Sequence, residues 1–306
     1  MIRRLLIAVA ALIATPAAAQ QDRGRLDDTP RTVVMTAFPP EWDALVGSVE
    51  QPREYRVNGL TFMTGTMAGK PVVLMQSAVS MVNAAMNTQL VLDRFRVKRI
   101  VFSGIAGGVD PQLSIGDVIV PENWGQYLEV SFARQTPKGW VTPEPVDAGA
   151  PANWGMMFPR GVRVGNEAQP AARHYLLGVD PQLLALARQV AGRVTLRRCA
   201  DAAKAACLDH APQIVVGGTG VSAGVFADNA QFRTYLHDAW QARVLDMESA
   251  AVVQVAYANR VPAVVFRSLS DLAGGDEHAN QMTTFMALSS VNSADVVRAF
   301  VAALPD

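Results

Sequence analysis

The sequence predicts an α/β fold in which helices cover a parallel or mixed sheet, and three observations carry that prediction. Half of the 306 residues are hydrophobic and 18% are charged, enough apolar material for one large core. Short β-branched runs alternate with longer amphipathic runs, the order that a sheet with crossover helices produces. No internal repeat or low-complexity tract follows the first residues, so one catalytic-size domain over residues 31–306 is expected.

Along the chain, strands are expected at 32–37, 60–66, 72–76, 100–103, 117–120, 214–216, 243–245 and 263–267. Apolar side chains recur at helical spacing over 81–95, 181–191, 249–259 and 284–303, which predicts helices there. Residues 123–178 differ in kind. They hold Trp124, Trp140 and Trp154 among prolines and glycines with little periodicity, and read as a long excursion from the sheet. The excursion is either functional or interfacial, or its aromatics cover the open end of the sheet.

The first residues are the strongest local signal. Arg3 and Arg4 precede an apolar stretch over 5–13, and Ala17-Ala18-Ala19 offers a small-residue cleavage site, so residues 1–19 read as a signal peptide. Thr15 and Pro16 end the stretch well short of the about 20 apolar residues of a membrane span. A periplasmic or secreted protein with no membrane attachment after cleavage is expected. In an oxidising compartment the two cysteines, Cys199 and Cys207, are expected to form a disulfide. The four histidines (His174, His210, His237, His278) are scattered, so no metal site is expected. With 27 basic and 27 acidic residues and no long run of either sign, nothing marks a nucleic-acid partner.

Four places could carry chemistry. Glu41 lies just past the first strand, where the ligand crevice of an open α/β sheet forms, or it is a first-turn helix acid favoured by the dipole. Ser103-Gly104-Ile105-Ala106-Gly107-Gly108 follows a strand and lets a ligand approach the backbone, its free amides available to oxyanions or hydroxyls. It matches neither a dinucleotide fingerprint nor a P-loop, so no NAD or ATP cofactor is expected. Asp246-Met247-Glu248-Ser249 joins a strand to a helix. There Asp246 serves as an N-cap and Glu248 as a first-turn acid, or Glu248 accepts hydrogen bonds from a vicinal diol. Ser270-Asp271 follows a buried-looking strand, ahead of a glycine-rich loop. Asp271 is a proton donor raised by burial, or a turn aspartate held by local amides.

Taken together, Ser77 to Ala85, Ser103 to Gly108 with Ile115-Gly116-Asp117-Val118, Asp246 to Ala251 and Arg267 to Asp271 resemble the nucleoside phosphorylase and nucleosidase superfamily. Their order is similar to that in methylthioadenosine/S-adenosylhomocysteine nucleosidases. The stretches Asp228-Asn229 and Leu272 to Gly275 also look like a branch that includes plant vegetative storage proteins. The resemblance implies a three-layer α/β/α fold with a mixed central sheet, a homo-oligomer with a dimer favoured, and no cofactor. It implies a purine nucleosidase acting on an adenosine- or methylthioadenosine-like nucleoside. Glu41 would activate water, Asp271 would protonate the purine, Met247 and Glu248 would hold the ribose, and Phe226 would stack on the base. Ala106, Gly107 and Ser270 would complete the substrate pocket. Ile105 and Asp246 depart from the nucleosidase pattern, which often has serine and glutamate there.

Two rival functions share that resemblance. A phosphorylase needs arginines converging on phosphate, whereas the loop after the first strand offers Pro39-Pro40-Glu41, which suits water and repels phosphate. A nucleoside-binding or storage protein has no use for an activating base facing a proton donor, and both acids are present.

Overall fold

The computed structural model describes residues 24–305 except 202 and 203, so the expected signal peptide lies outside the described residues. The chain opens with β1 (Asp27–Thr36), α1 (Pro39–Val46), β2 (Glu50–Val57), β3 (Leu60–Met67), β4 (Lys70–Gln76), α2 (Met81–Arg94), β5 (Phe95–Gly108) and β6 (Val118–Val120). The region 123–178 follows as β7 (Asn123–Gln126), β8 (Val130–Phe132), β9 (Arg134–Thr136), β10 (Gly139–Val141), β11 (Met157–Pro159), β12 (Val162–Asn166), β13 (Gln169–His174) and β14 (Leu177–Gly178). Then come α3 (Pro181–Ala191), β15 (Cys199–Asp201), β16 (Lys204–Cys207), β17 (Ile214–Val216), β18 (Thr219–Ser222) and α4 (Ala230–Trp240). The chain continues through β19 (Ala242–Asp246), α5 (Ser249–Ala258), β20 (Ala263–Asp271) and α6 (Met282–Ala303).

One mixed sheet organises these elements in the order β14-β7-β18-β19-β5-β1-β4-β3-β2, with β20 beside β5 and β6 linking β20 to β17. β1 runs parallel to β4 and β5, and β20 runs parallel to β5. β3 is antiparallel to β4, and β19 is antiparallel to the end of β5. The central strands are continuous apolar runs because both faces are covered: Val33, Val34, Met35, Val101, Phe102, Val264, Val265 and Phe266 are wholly buried. Helices α1 and α3 pack on α6, while α2 packs on α5, which gives the α/β/α layers.

Several expectations need correction. The Ser103–Gly108 segment is not a turn, because β5 continues through it and pairs with β20 and β19 there. Likewise Ser270 and Asp271 belong to β20 rather than to the loop after it. Residues 123–178 do not leave the sheet altogether, since β7 and β14 at its two ends pair with each other and β7 pairs with β18. Between them lie short antiparallel ladders, β8 with β11, β9 with β10 and β12 with β13. Cys199 and Cys207 are joined by a disulfide that bridges the β15–β16 ladder.

Candidate active site

The carboxyl ends of β1, β4, β5, β18, β19 and β20 meet around a cavity of about 200 Å³. Such a crevice is where an open α/β sheet places its ligand. Glu41, Ala106, Gly107, Phe226, Met247, Glu248, Ser270 and Asp271 all line it. Every residue assigned to the site from sequence is therefore brought into one place. A wider polar cleft of about 600 Å³ around Asp27, Arg31 and Arg53 offers no comparable set of acids, and Asp27 there is already paired with Arg31.

Glu41 sits in the first turn of α1, a helix started by Pro39 and Pro40, whose fixed backbone suits that position. Its Oε2 accepts from the Ala37 amide at 2.6 Å and its Oε1 from the Ile105 amide at 2.8 Å. The carboxyl group is buried, and that burial pushes its pKa up against the opposing pull of Arg267 and the two amides. A base so placed, with a raised affinity for protons, can take one from water.

Arg267 is the residue that sequence reading missed. It projects from β20, wholly buried, with its guanidinium 4.1 Å from the centre of the Phe102 ring. It reaches Asp246 Oδ2 at 2.7 Å from Nε, Glu248 Oε2 at 3.6 Å from Nη2 and Glu41 Oε1 at 3.7 Å from Nη1. Nε and Nη2 also donate to Ser249 Oγ, whereas Nη1 has no hydrogen-bond acceptor among the described residues. Gly104 makes room for this: a Cβ there would lie 1.7 Å from Arg267 Nη1 and 2.6 Å from Glu41 Oε1. The available signal was an arginine inside the apolar run Ala263 to Leu269, because a charge in a doubly covered strand must find partners.

The capping reading of the Asp246-Met247-Glu248 segment needs a shift: the N-cap of α5 is Glu248, not Asp246, so Glu248 is not a first-turn acid, yet Asp246 still serves the amides at that helix end. Asp246 Oδ1 accepts from the Glu248 and Ser249 amides at 3.2 and 3.1 Å, and the carboxylate also takes the Ser222 and Ser249 hydroxyls. Glu248 is thereby left for the cavity, where its Oε1 accepts from the Ser80 amide at 2.8 Å. Burial, and then the neighbouring Asp246 charge, push its pKa up to about 7. The Ser80 backbone is itself unusual. With φ 85° and ψ 154° it occupies a region that is essentially reserved for glycine and costs about 1–3 kcal/mol for other residues.

Asp271 closes the other end. Its Oδ1 accepts from the Ala273 amide at 2.9 Å and its Oδ2 from the Ser270 hydroxyl at 2.9 Å. It is a strand-end aspartate satisfied locally and also a buried acid, and burial raises its pKa. Glu41 Oε1 lies beside Gly104 and Asp271 Oδ1 beside Gly107, three residues apart on β5. Met247 and Glu248 also line the wall, and Phe226, half exposed, stands at the mouth.

The raised pKa of Glu248 predicts a pH effect on stability. In the folded protein this carboxyl holds its proton up to about pH 7, above its ordinary 4.5, so the folded state binds more protons than the unfolded one between those values. Stability therefore falls as pH rises through that window and the deficit is complete above it. Glu248→Gln, which carries no charge to lose, should melt higher than the wild type at pH 8 and show a smaller drop between pH 5 and 8. Thermal melts of both proteins at the two pH values check this.

A family model described as Phosphorylase superfamily matches residues 31–302. A 5′-methylthioadenosine/S-adenosylhomocysteine nucleosidase of Mycobacterium bovis is 29% identical over 247 residues, 79% of this chain and 86% of that protein. Among solved structures, futalosine hydrolase of Helicobacter pylori superposes with a TM-score of 0.66 at 22% identity, covering 90% of this chain and 98% of that one. The 5′-methylthioadenosine/S-adenosylhomocysteine nucleosidase of Neisseria meningitidis in complex with methylthio-immucillin-A gives 0.67 at 21%, covering 90% and 100%. The fold is shared with both.

Proposed function

Because the chain belongs to the phosphorylase superfamily, we propose that it is a purine nucleosidase, which uses water to split the N-glycosidic bond of a purine nucleoside into free base and sugar. The observation that carries this reading is that two buried acids whose pKa values burial raises, Glu41 and Asp271, line one cavity together. A water molecule in the cavity beside Glu41 would give its proton to that carboxylate, which Arg267 holds in place from behind. The purine would lie toward Asp271.

The reaction then needs only these groups. As the bond from C1′ to the purine nitrogen lengthens, its electron pair moves into the base and positive charge builds on the sugar. Asp271 donates a proton to the ring nitrogen that becomes basic, and the water oxygen bonds to C1′ as Glu41 takes its proton. Glu248, accepting from the sugar hydroxyls, fixes C1′ between the two events. The names of the methylthioadenosine/S-adenosylhomocysteine nucleosidases support an adenine nucleoside with a thioether at the 5′ position as the substrate, and the apolar cavity residues Phe38, Val79 and Met282 suit such a group.

Charge separates hydrolysis from phosphorolysis. The described residues that line the cavity include Glu41, Asp246, Glu248 and Asp271 but no lysine or arginine, so they offer no cation to a phosphate dianion. The test is release of free base from adenosine, inosine, guanosine, methylthioadenosine and S-adenosylhomocysteine, with and without phosphate. Phosphate-independent release is expected. A strict phosphate requirement would convert the assignment to a phosphorylase, and binding without release would leave a nucleoside-binding or storage protein.

Two further proposals concern context. The leader residues support action outside the cytoplasm. Val82 and Met86 stand exposed one turn apart on α2, with exposed Val79 just before the helix at the cavity, and support a homodimer formed through that face.

A further inference from the structure

We propose that Ser80 is a sugar-binding residue whose hydroxyl hydrogen-bonds the 3′-hydroxyl of the nucleoside, an assignment that rests on the nucleosidase reading above. Serine at the residue before a helix ordinarily spends its hydroxyl on the first-turn amides. Ser80 stands in that place before α2 and makes no such bond. Its hydroxyl has no other hydrogen-bond partner among the described residues, and the backbone that presents it is one that glycine would adopt without strain.

The position of that hydroxyl is set by two contacts. The Ser80 amide donates to Glu248 Oε1 at 2.8 Å, which keeps the side chain within a few ångströms of the carboxylate assigned to the sugar. Across the gap, a Cβ placed on Gly224 would come 3.2 Å from Ser80 Oγ, so the hydroxyl stands between the two loops whose next residues, Val79 and Val225, line the cavity. The two oxygens of Glu248 face different neighbours. Oε2 lies 3.6 Å from Arg267, on the side of the reacting carbon, and so meets the 2′-hydroxyl beside C1′. Oε1, shared with Ser80, is left for the 3′-hydroxyl. Ser80 Oγ then supplies that hydroxyl with a second partner and can donate or accept.

The test compares wild type, Ser80→Ala and Ser80→Gly on a ribonucleoside that the wild type cleaves and on its 2′-deoxy and 3′-deoxy forms. Loss of one hydrogen bond corresponds to roughly tenfold. Ser80→Ala should raise KM about tenfold on the first two substrates, with kcat little changed, and should leave the 3′-deoxy substrate unaffected. Ser80→Gly should show the same KM pattern while melting at a higher temperature, because the backbone strain is gone. An equal loss on all three substrates, or no loss in either variant, overturns the assignment of Ser80. If the wild type cleaves no purine ribonucleoside, the nucleosidase reading itself falls, and the assignment with it.

Discussion

Replacing Asp271 by asparagine is expected to lower release of free base by roughly 10² to 10⁴, the usual contribution of a positioned general acid. Asparagine keeps the shape, and its carbonyl oxygen can still accept from the Ala273 amide that Asp271 Oδ1 holds at 2.9 Å. What it lacks is a proton to give. Binding of a non-hydrolysable nucleoside analogue should therefore survive, and the loss should fall on kcat. The burial that raises the pKa of Asp271 keeps it protonated to higher pH than an exposed aspartate, so the wild-type rate should decline as pH rises through that value. A substrate whose leaving group departs without protonation, such as a p-nitrophenyl riboside, should be spared by the substitution. Wild-type release of adenine by Asp271→Asn would remove the acid from the mechanism.

The parts of this site that were legible in the sequence are those where a polar residue interrupts an apolar strand end. Glu41 after β1, Glu248 after β19 and Asp271 at the end of β20 each stand at or just past a strand whose last residues are buried, and the crevice rule then places them together. Arg267 was not legible in the same way. Its position inside β20 reads as strand, and only the fold shows that three carboxylates from α1, β19 and the start of α5 converge on it.

Secondary structure failed where composition and role diverge. β2 has the sequence Glu-Gln-Pro-Arg-Glu-Tyr-Arg-Val, polar and with a proline, because it is the sheet edge and has little apolar face to bury. Glycines disguised the end of β5, yet they are there because Arg267, Asp271 and Leu269 press against Gly104, Gly107 and Gly108. The helix α4 was missed because its polar residues outweigh its few buried ones, Phe232, Leu236 and Trp240.

The largest effect on stability is expected from Arg267→Gln. The guanidinium is the buried cation facing Glu41, Asp246 and Glu248, and it also lies against Phe102 and donates to Ser249. Glutamine retains some of the volume and hydrogen bonding but none of the charge, so three carboxyl groups with little access to water are left to repel one another. Breaking a buried ion pair in this way costs about 3–5 kcal/mol, which corresponds to a fall in Tm on the order of 10 °C. The deficit should depend on pH. Burial already raises the pKa values of Glu41 and Glu248, and without the arginine both rise further, so acid neutralises the repulsion. The melting difference from wild type should therefore be large at pH 8 and smaller at pH 5. A merely structural arginine, valued for its packing alone, would give the same difference at both values. Arg267→Lys keeps a charge but not the planar fork that reaches three acids at once, so it should recover part of the stability and little of the activity, since Glu41 and Glu248 lose the partner that fixes them. Equal melting of Arg267→Gln and wild type at pH 8 would mean that Glu41 and Glu248 are neutral in the resting protein, and Glu41 could then no longer be the base.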